Sequence, residues 1–157
     1  MSNPVKLPIP SWVSSYIGLP FREAGRERST GLDCWGLVRL VLAEKLGLDL
    51  PSFEGVAYRK GCDMAALGET MREFRRCLHW APVLQGQEEC FDLIWLRTAG
   101  APIHVGLVVA PGWMLHVEQG CDSVIESYTG LRWKRRILEI LRPSSPLPLG
   151  EGQGEGE

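Results

Sequence analysis

The hydrophobic period of the chain changes once, a little before residue 91, and that change limits the folds open to it. Ahead of it, apolar residues recur at helical spacing: Leu37, Val38, Val41, Leu42 and Leu46 in one stretch, Met64, Leu67, Met71, Phe74 and Leu78 in another. Each set describes one apolar face of an amphipathic helix. Behind it come five short segments rich in β-branched and aromatic residues: Phe91 to Leu96, Val105 to Val109, Trp113 to Val117, Ser123 to Ser127 and Arg135 to Leu141. Turn signals such as Ala110-Pro111-Gly112 separate them. Helices first and a meander of antiparallel strands afterwards predict an α+β fold.

Local signals place the element ends. Asp33 is a natural N-cap for the first long helix, and Gly47 followed by Pro51 is a natural stop. Asp63 caps the second. Pro10-Ser11 opens a short helical stretch through Ile17 that ends at Gly18, and a polar segment, Arg22 to Gly31, leads on to Cys34. The stretch from Pro143 to Glu157, Ser-Ser-Pro-Leu-Pro-Leu followed by alternating Gly and Glu, has little to bury and is expected to be disordered. The expected organisation is therefore one folded domain, 1–142, with a low-complexity tail, 143–157.

A length of 157 residues, 45% of them hydrophobic, suffices for a single core. The net charge of −2 gives no global field to recruit nucleic acid or acidic lipid. The basic runs Arg72 to Arg76 and Arg132 to Arg136 are interrupted by apolar residues and read as solvated faces. No stretch approaches the roughly 20 apolar residues of a membrane span. Met1 to Pro10 has no apolar core segment like that of a signal peptide, so synthesis in a cytoplasm is expected. The five cysteines, at 34, 62, 77, 90 and 121, form no CxxC pair and are expected to stay reduced.

Cys34 falls in the first turn of the first long helix. There the unpaired N–H groups and the positive end of the macrodipole favour an anion. A thiol so placed, especially beside a histidine, commonly titrates at about 3.5 to 7.5. The same N–H groups can bind the oxyanion of a tetrahedral intermediate. The plain alternative is that Cys34 is a small buried hydrophobe. Two histidines weigh against it: His104 opens one strand and His116 lies near the end of the next. With a hairpin turn centred on or near Ala110, their rings fall at or close to a cross-strand pair. A register slip of one residue would put them on opposite faces. Together the three supply nucleophile, base and orienter. A zinc site from Cys90, His104, His116 and Cys121 matches no familiar ligand spacing. His79, after the second helix, reads as structural or exposed.

Gly31-Leu32-Asp33-Cys34-Trp35-Gly36-Leu37-Val38, Phe91-Asp92-Leu93-Ile94, His104-Val105-Gly106-Leu107-Val108 and Met114-Leu115-His116-Val117 occur in that order. The series resembles the motifs of NlpC/P60-type cell-wall cysteine peptidases over roughly residues 10 to 142. The resemblance implies a papain-like α+β fold, no cofactor or metal, and a triad of Cys34 as nucleophile, His104 as base and His116 as orienter. It further implies hydrolysis of peptidoglycan stem peptides, typically between γ-D-glutamyl and a diamino acid, with Asp33 and Trp35 in substrate binding. Two positions depart from the wall-remodelling members: Trp35 stands where they carry serine, and Phe21 where they carry tyrosine. The Asp-Cys-Trp-Gly form is similar to phage and prophage members of tail-assembly type. That similarity implies phage tail proteins as partners and a virion destination, with a tail-assembly or structural protein as the alternative to an active endopeptidase.

Overall fold

The structure, a computed structural model, describes residues 8–53, 72, 76, 79–98 and 104–144. A 3₁₀ helix, Ser11–Tyr16, comes first, capped by Pro10 in extended backbone and burying Val13 and Tyr16. The segment read as merely polar contains a small antiparallel hairpin, β1 (Arg26–Glu27) and β2 (Gly31–Leu32). It leads directly into α1 (Cys34–Leu46). The strands that follow are β3 (Ala81–Pro82), β4 (Leu93–Leu96), β5 (His104–Ala110), β6 (Trp113–His116), β7 (Val124–Ser127) and β8 (Ile137–Arg142). The second amphipathic helix, from Asp63 to Leu78, lies outside the described residues except for Arg72 and Arg76, which are helical and exposed. The tail from residue 145 onward also lies outside them.

α1 begins and ends where its capping chemistry dictates. The Asp33 side chain accepts from the Gly36 amide, and Gly47 takes the left-handed conformation with φ 68°. Its buried face is Leu37, Val38, Val41 and Leu42; Leu46, expected on that face, is instead 42% exposed. Each fully buried aliphatic side chain of this kind contributes about 1.5–3 kcal/mol. The first turn, Cys34, Trp35 and Gly36, is buried as well, and Gly36 lies against the loop that precedes the helix. Gly36 permits that approach: a Cβ there would lie 2.1 Å from the Gly25 carbonyl oxygen.

The described strands form a six-stranded sheet in the order β3-β8-β4-β5-β6-β7, antiparallel at every pairing. From β4 to β7 it is the expected meander. β8 departs from that expectation by returning to the far side of β4. β7 is half-exposed along its length, whereas β4 is buried on both faces. β8 carries Ile140 for one face and Leu141 for the other, so it loses more water-exposed apolar surface beside β4. On one face Val105, Leu107, Val109 and Leu115 pack with α1; on the other Ile94, Val108 and Met114 pack with Tyr128 and Trp133. The connection from β7 to β8 therefore crosses the face opposite α1. Pro82 is confined to the β3 edge, where a missing N–H costs no ladder bond.

Alanine for glycine inside a helix ordinarily stabilises by about 1 kcal/mol. Gly36→Ala is expected to reverse that sign and destabilise by about 2 kcal/mol or more, because the Gly25 backbone has to move. Urea denaturation measures the difference; a variant as stable as wild type contradicts the close packing of the helix start.

Candidate active site

Three segments meet at the start of α1. Asp33 Oδ1 accepts from the Gly36 amide at 2.7 Å and from Arg26 Nη1 at 2.7 Å. Arg26 also donates to the carbonyls of Gly25 and Ser52, at 2.8 Å each. Its guanidinium thus ties residues 51–53 to the helix cap, in an ion pair with side-chain exposures of only 7% and 9%. Removing one partner of a pair so buried commonly costs about 3–5 kcal/mol. Trp35, expected to touch substrate, is a core residue with no exposed surface. Its Nε1 donates to the Pro51 carbonyl at 2.9 Å and its ring packs against Phe53. Asp33 is likewise engaged, by the Gly36 amide and the Arg26 guanidinium.

The thiol of Cys34 lies in the core beneath α1, with the backbone amides of Trp35 and Val105 directed at the sulfur. Its titration departs from the sequence expectation in direction. Burial, and after it the Asp33 carboxylate, push the thiol up to about 12, against the smaller opposing effects of the two amides and Arg26. The helix terminus is present, but the residue that caps it carries the wrong charge to favour a thiolate.

The two histidines meet across the β5–β6 hairpin. Leu107 pairs with Leu115, so the hairpin is centred on residue 111 rather than 110, and a bulge between Val108 and Ala110 adjusts the turn. This shift of two in register leaves His104 diagonal to His116 on the same face. His104 Nε2 lies 2.8 Å from His116 Nδ1, and His116 Nε2 lies 2.7 Å from Glu126 Oε2. No hydrogen bond joins Cys34 to His104 among the described residues.

The hydrogen bonds fix the tautomers. Burial would raise the Glu126 carboxyl, but Trp133, Arg132 and His116 around it outweigh that and hold it below the ordinary range. An ionised carboxylate only accepts, so Nε2 of His116 bears the proton and its Nδ1 offers a lone pair. That lone pair takes Nε2–H of His104, which leaves Nδ1 of His104 unprotonated. Burial first, then His116 and Arg132, bring His104 down to about 3; burial also lowers His116, against the pull of Glu126 and Glu118. Both rings are neutral at neutral pH.

Four contributors were not identified from the sequence. Arg26 sat in a segment without strand signals, and Glu126 was hidden in a short strand. Trp133 stacks on His104 with ring centres 5.5 Å apart and meets His116 edge-on at 5.7 Å. Arg132 lies over the Trp133 ring at 4.5 Å and binds both Glu118 and Glu126. Trp133 and Arg132 reach the histidines only because β8 doubles back. The ligand atoms of His116, Glu118 and Glu126 lie within 4.8 Å of one another, close enough for a cation. Arg132 already supplies the positive charge there. That grouping includes neither Cys90 nor Cys121 of the four-ligand alternative.

Because native His104 stays neutral down to about 3 while an unfolded histidine protonates near 6.5, the unfolded chain binds the extra proton between those values. Stability is therefore full above about pH 6.5 and declines as pH falls. His104→Asn is expected to lose less stability than wild type between pH 7 and pH 5 in urea titrations; parallel losses contradict a buried neutral His104.

A family model described as the NlpC/P60 family matches residues 18–142. No curated protein matches the sequence. Among solved structures, an NlpC/P60 family protein from Bacillus cereus superposes with a TM-score of 0.60 at 19% identity, covering 89% of this chain and 42% of that one. A lipoprotein-like NLP/P60 family protein from Staphylococcus aureus gives 0.58 at 18% identity, with 84% and 39% covered. The NlpC/p60 domain of the peptidoglycan hydrolase SagA gives 0.53 at 20% identity, with 85% and 92% covered. The chain thus spans under half of the first two proteins and most of the SagA domain. Identities of this size establish a common α+β fold. The family match runs from the end of the 3₁₀ helix through β8, taking in the cysteine helix and the strands that carry both histidines, and the chain belongs to the NlpC/P60 family.

Proposed function

We propose that the protein is a cysteine endopeptidase acting on the peptide stems of bacterial peptidoglycan, at the γ-D-glutamyl–diamino acid class of bond, with Cys34, His104 and His116 as its triad. The observation that carries this reading is the 2.8 Å hydrogen bond from His104 Nε2 to His116 Nδ1, which leaves Nδ1 of His104 as a proton acceptor. Family membership and the peptidoglycan hydrolase SagA among the structural neighbours support the substrate class.

The resting pair is thiol and neutral imidazole, so activation is general-base rather than a preformed ion pair. As Cys34 Sγ attacks the scissile carbonyl carbon, its proton passes to Nδ1 of His104 and negative charge moves to the carbonyl oxygen. Amides at the start of α1 are suited to receive that oxygen. The resulting imidazolium protonates the leaving amine as the C–N bond breaks, giving a thioester. Water then attacks the thioester, His104 takes its proton, and the carboxylic acid departs while the thiol is restored. Attack requires sulfur and Nδ1 to come within reach of each other, and catalytic hydrogen bonds often tighten only with substrate bound.

The Asp33-Cys34-Trp35-Gly36 tetrad supports placing the enzyme among phage-tail members, assembled with tail proteins. A second reading is a tail-assembly or structural protein whose main work is partner binding. The buried, protonated thiol favours it.

Purified peptidoglycan, or a defined stem peptide, incubated with wild type and Cys34→Ala separates the two. The peptidase reading expects new amino and carboxyl ends with wild type alone; the same fragments from both proteins, or none from either, overturn it.

A further inference from the structure

The hydrogen-bond chain that starts at His104 continues past His116 to β7. Val124 pairs with His116 and Glu126 with Met114, so Glu126 stands diagonal to His116 on the same face of the sheet. Its Oε2 accepts from His116 Nε2 at 2.7 Å and from Arg132 Nη1 at 3.0 Å, while its Oε1 lies 3.1 Å from the same Nη1. Arg132 Nη2 in turn binds Glu118. Arg132 thus reaches both oxygens of the carboxylate, with Trp133 beside it.

We infer that Glu126 is a positioning residue, the outer member of a His104–His116–Glu126 hydrogen-bond chain, which selects the His116 tautomer and through it leaves Nδ1 of His104 as the proton acceptor. A neutral His116 has two tautomers. With its proton on Nδ1 it would donate to Nε2 of His104, and His104 would then carry its own proton on Nδ1, where the thiol proton has to go. Glu126 removes that alternative, because an ionised carboxylate facing Nε2 accepts and cannot donate. Arg132 has a second effect. Burial first, and the Arg132 charge in a smaller degree, oppose the pull of Glu126 and Glu118, so the carboxylate orients His116 without converting it to imidazolium. Outer partners that set histidine orientation in this way typically change activity by about 10–100-fold when removed.

The catalytic consequence rests on the peptidase reading; the tautomeric consequence does not. The test therefore has two readouts on the full chain, with Glu126→Ala and Glu126→Gln. In ¹⁵N side-chain NMR at pH 7, wild type is expected to show His104 and His116 both protonated on Nε2. Glu126→Ala is expected to give mixed tautomers at both rings. In hydrolysis of the stem peptide, Glu126→Ala is expected to lower kcat about 10–100-fold with KM within about twofold. Glu126→Gln, whose amide oxygen still accepts from Nε2–H, is expected to recover part of the loss. In a His116→Ala background, Glu126→Ala is expected to cost less than about twofold more, since the residue it acts through is gone. An equal loss in both backgrounds, or an unchanged Nε2–H tautomer in Glu126→Ala, overturns the inference. If wild type releases no fragments, the peptidase reading fails, and the tautomers alone decide whether Glu126 sets the rings.

Discussion

Asp33 Oδ1 accepts two hydrogen bonds, from the Gly36 amide and from Arg26, and the arrangement of the cysteine side of the site depends on them. The first fixes where α1 begins and so where Cys34 stands. The second draws the β1–β2 hairpin and, through the Ser52 carbonyl, the segment after α1 onto the helix start. The same carboxylate opposes ionisation of the neighbouring thiol. One side chain thus fixes the position of Cys34 and, after burial, opposes its ionisation.

The other half of the site has the opposite electrostatic character. Glu126, backed by Arg132, faces His116, which faces His104, and Trp133 closes over both rings. Burial keeps the imidazoles neutral while the carboxylate decides which nitrogen bears each proton. An acceptor made in this way needs no prior ion pair with the thiol. In the proposed mechanism, it acts when a bound substrate brings sulfur and Nδ1 together. The two halves are joined through β5, whose Val105 amide points at Cys34 and whose adjacent His104 begins the histidine pair.

Sequence patterns anticipated α1 with both caps, the positions of the main strands, the α+β class and the closeness of His104 to His116. These are consequences of period, capping and hairpin geometry, all of which act over a few residues. What the patterns did not carry was set by distant parts of the chain. The return of β8 to β4 depends on which edge offers two apolar faces, and only that return brings Arg132 and Trp133 over the histidines. The resemblance implies substrate binding for Trp35, whereas packing against Pro51 and Phe53 makes it core. The direction of the Cys34 titration was misread for a related reason. A helix terminus is visible in sequence, whereas burial and the effect of Asp33 at close range are not.

The proposed mechanism starts from a Cys34 thiol that is buried and protonated until substrate arrives. The most direct measurement is the rate of Cys34 alkylation by iodoacetamide from pH 5 to pH 10 in the unliganded protein, read on the Cys34 peptide by mass spectrometry. A rate still rising at pH 9, with no inflection near neutrality, is the predicted result. An inflection at or below pH 7 would mean a resting thiolate, and would contradict both the raised titration of the buried thiol and the general-base role assigned to His104.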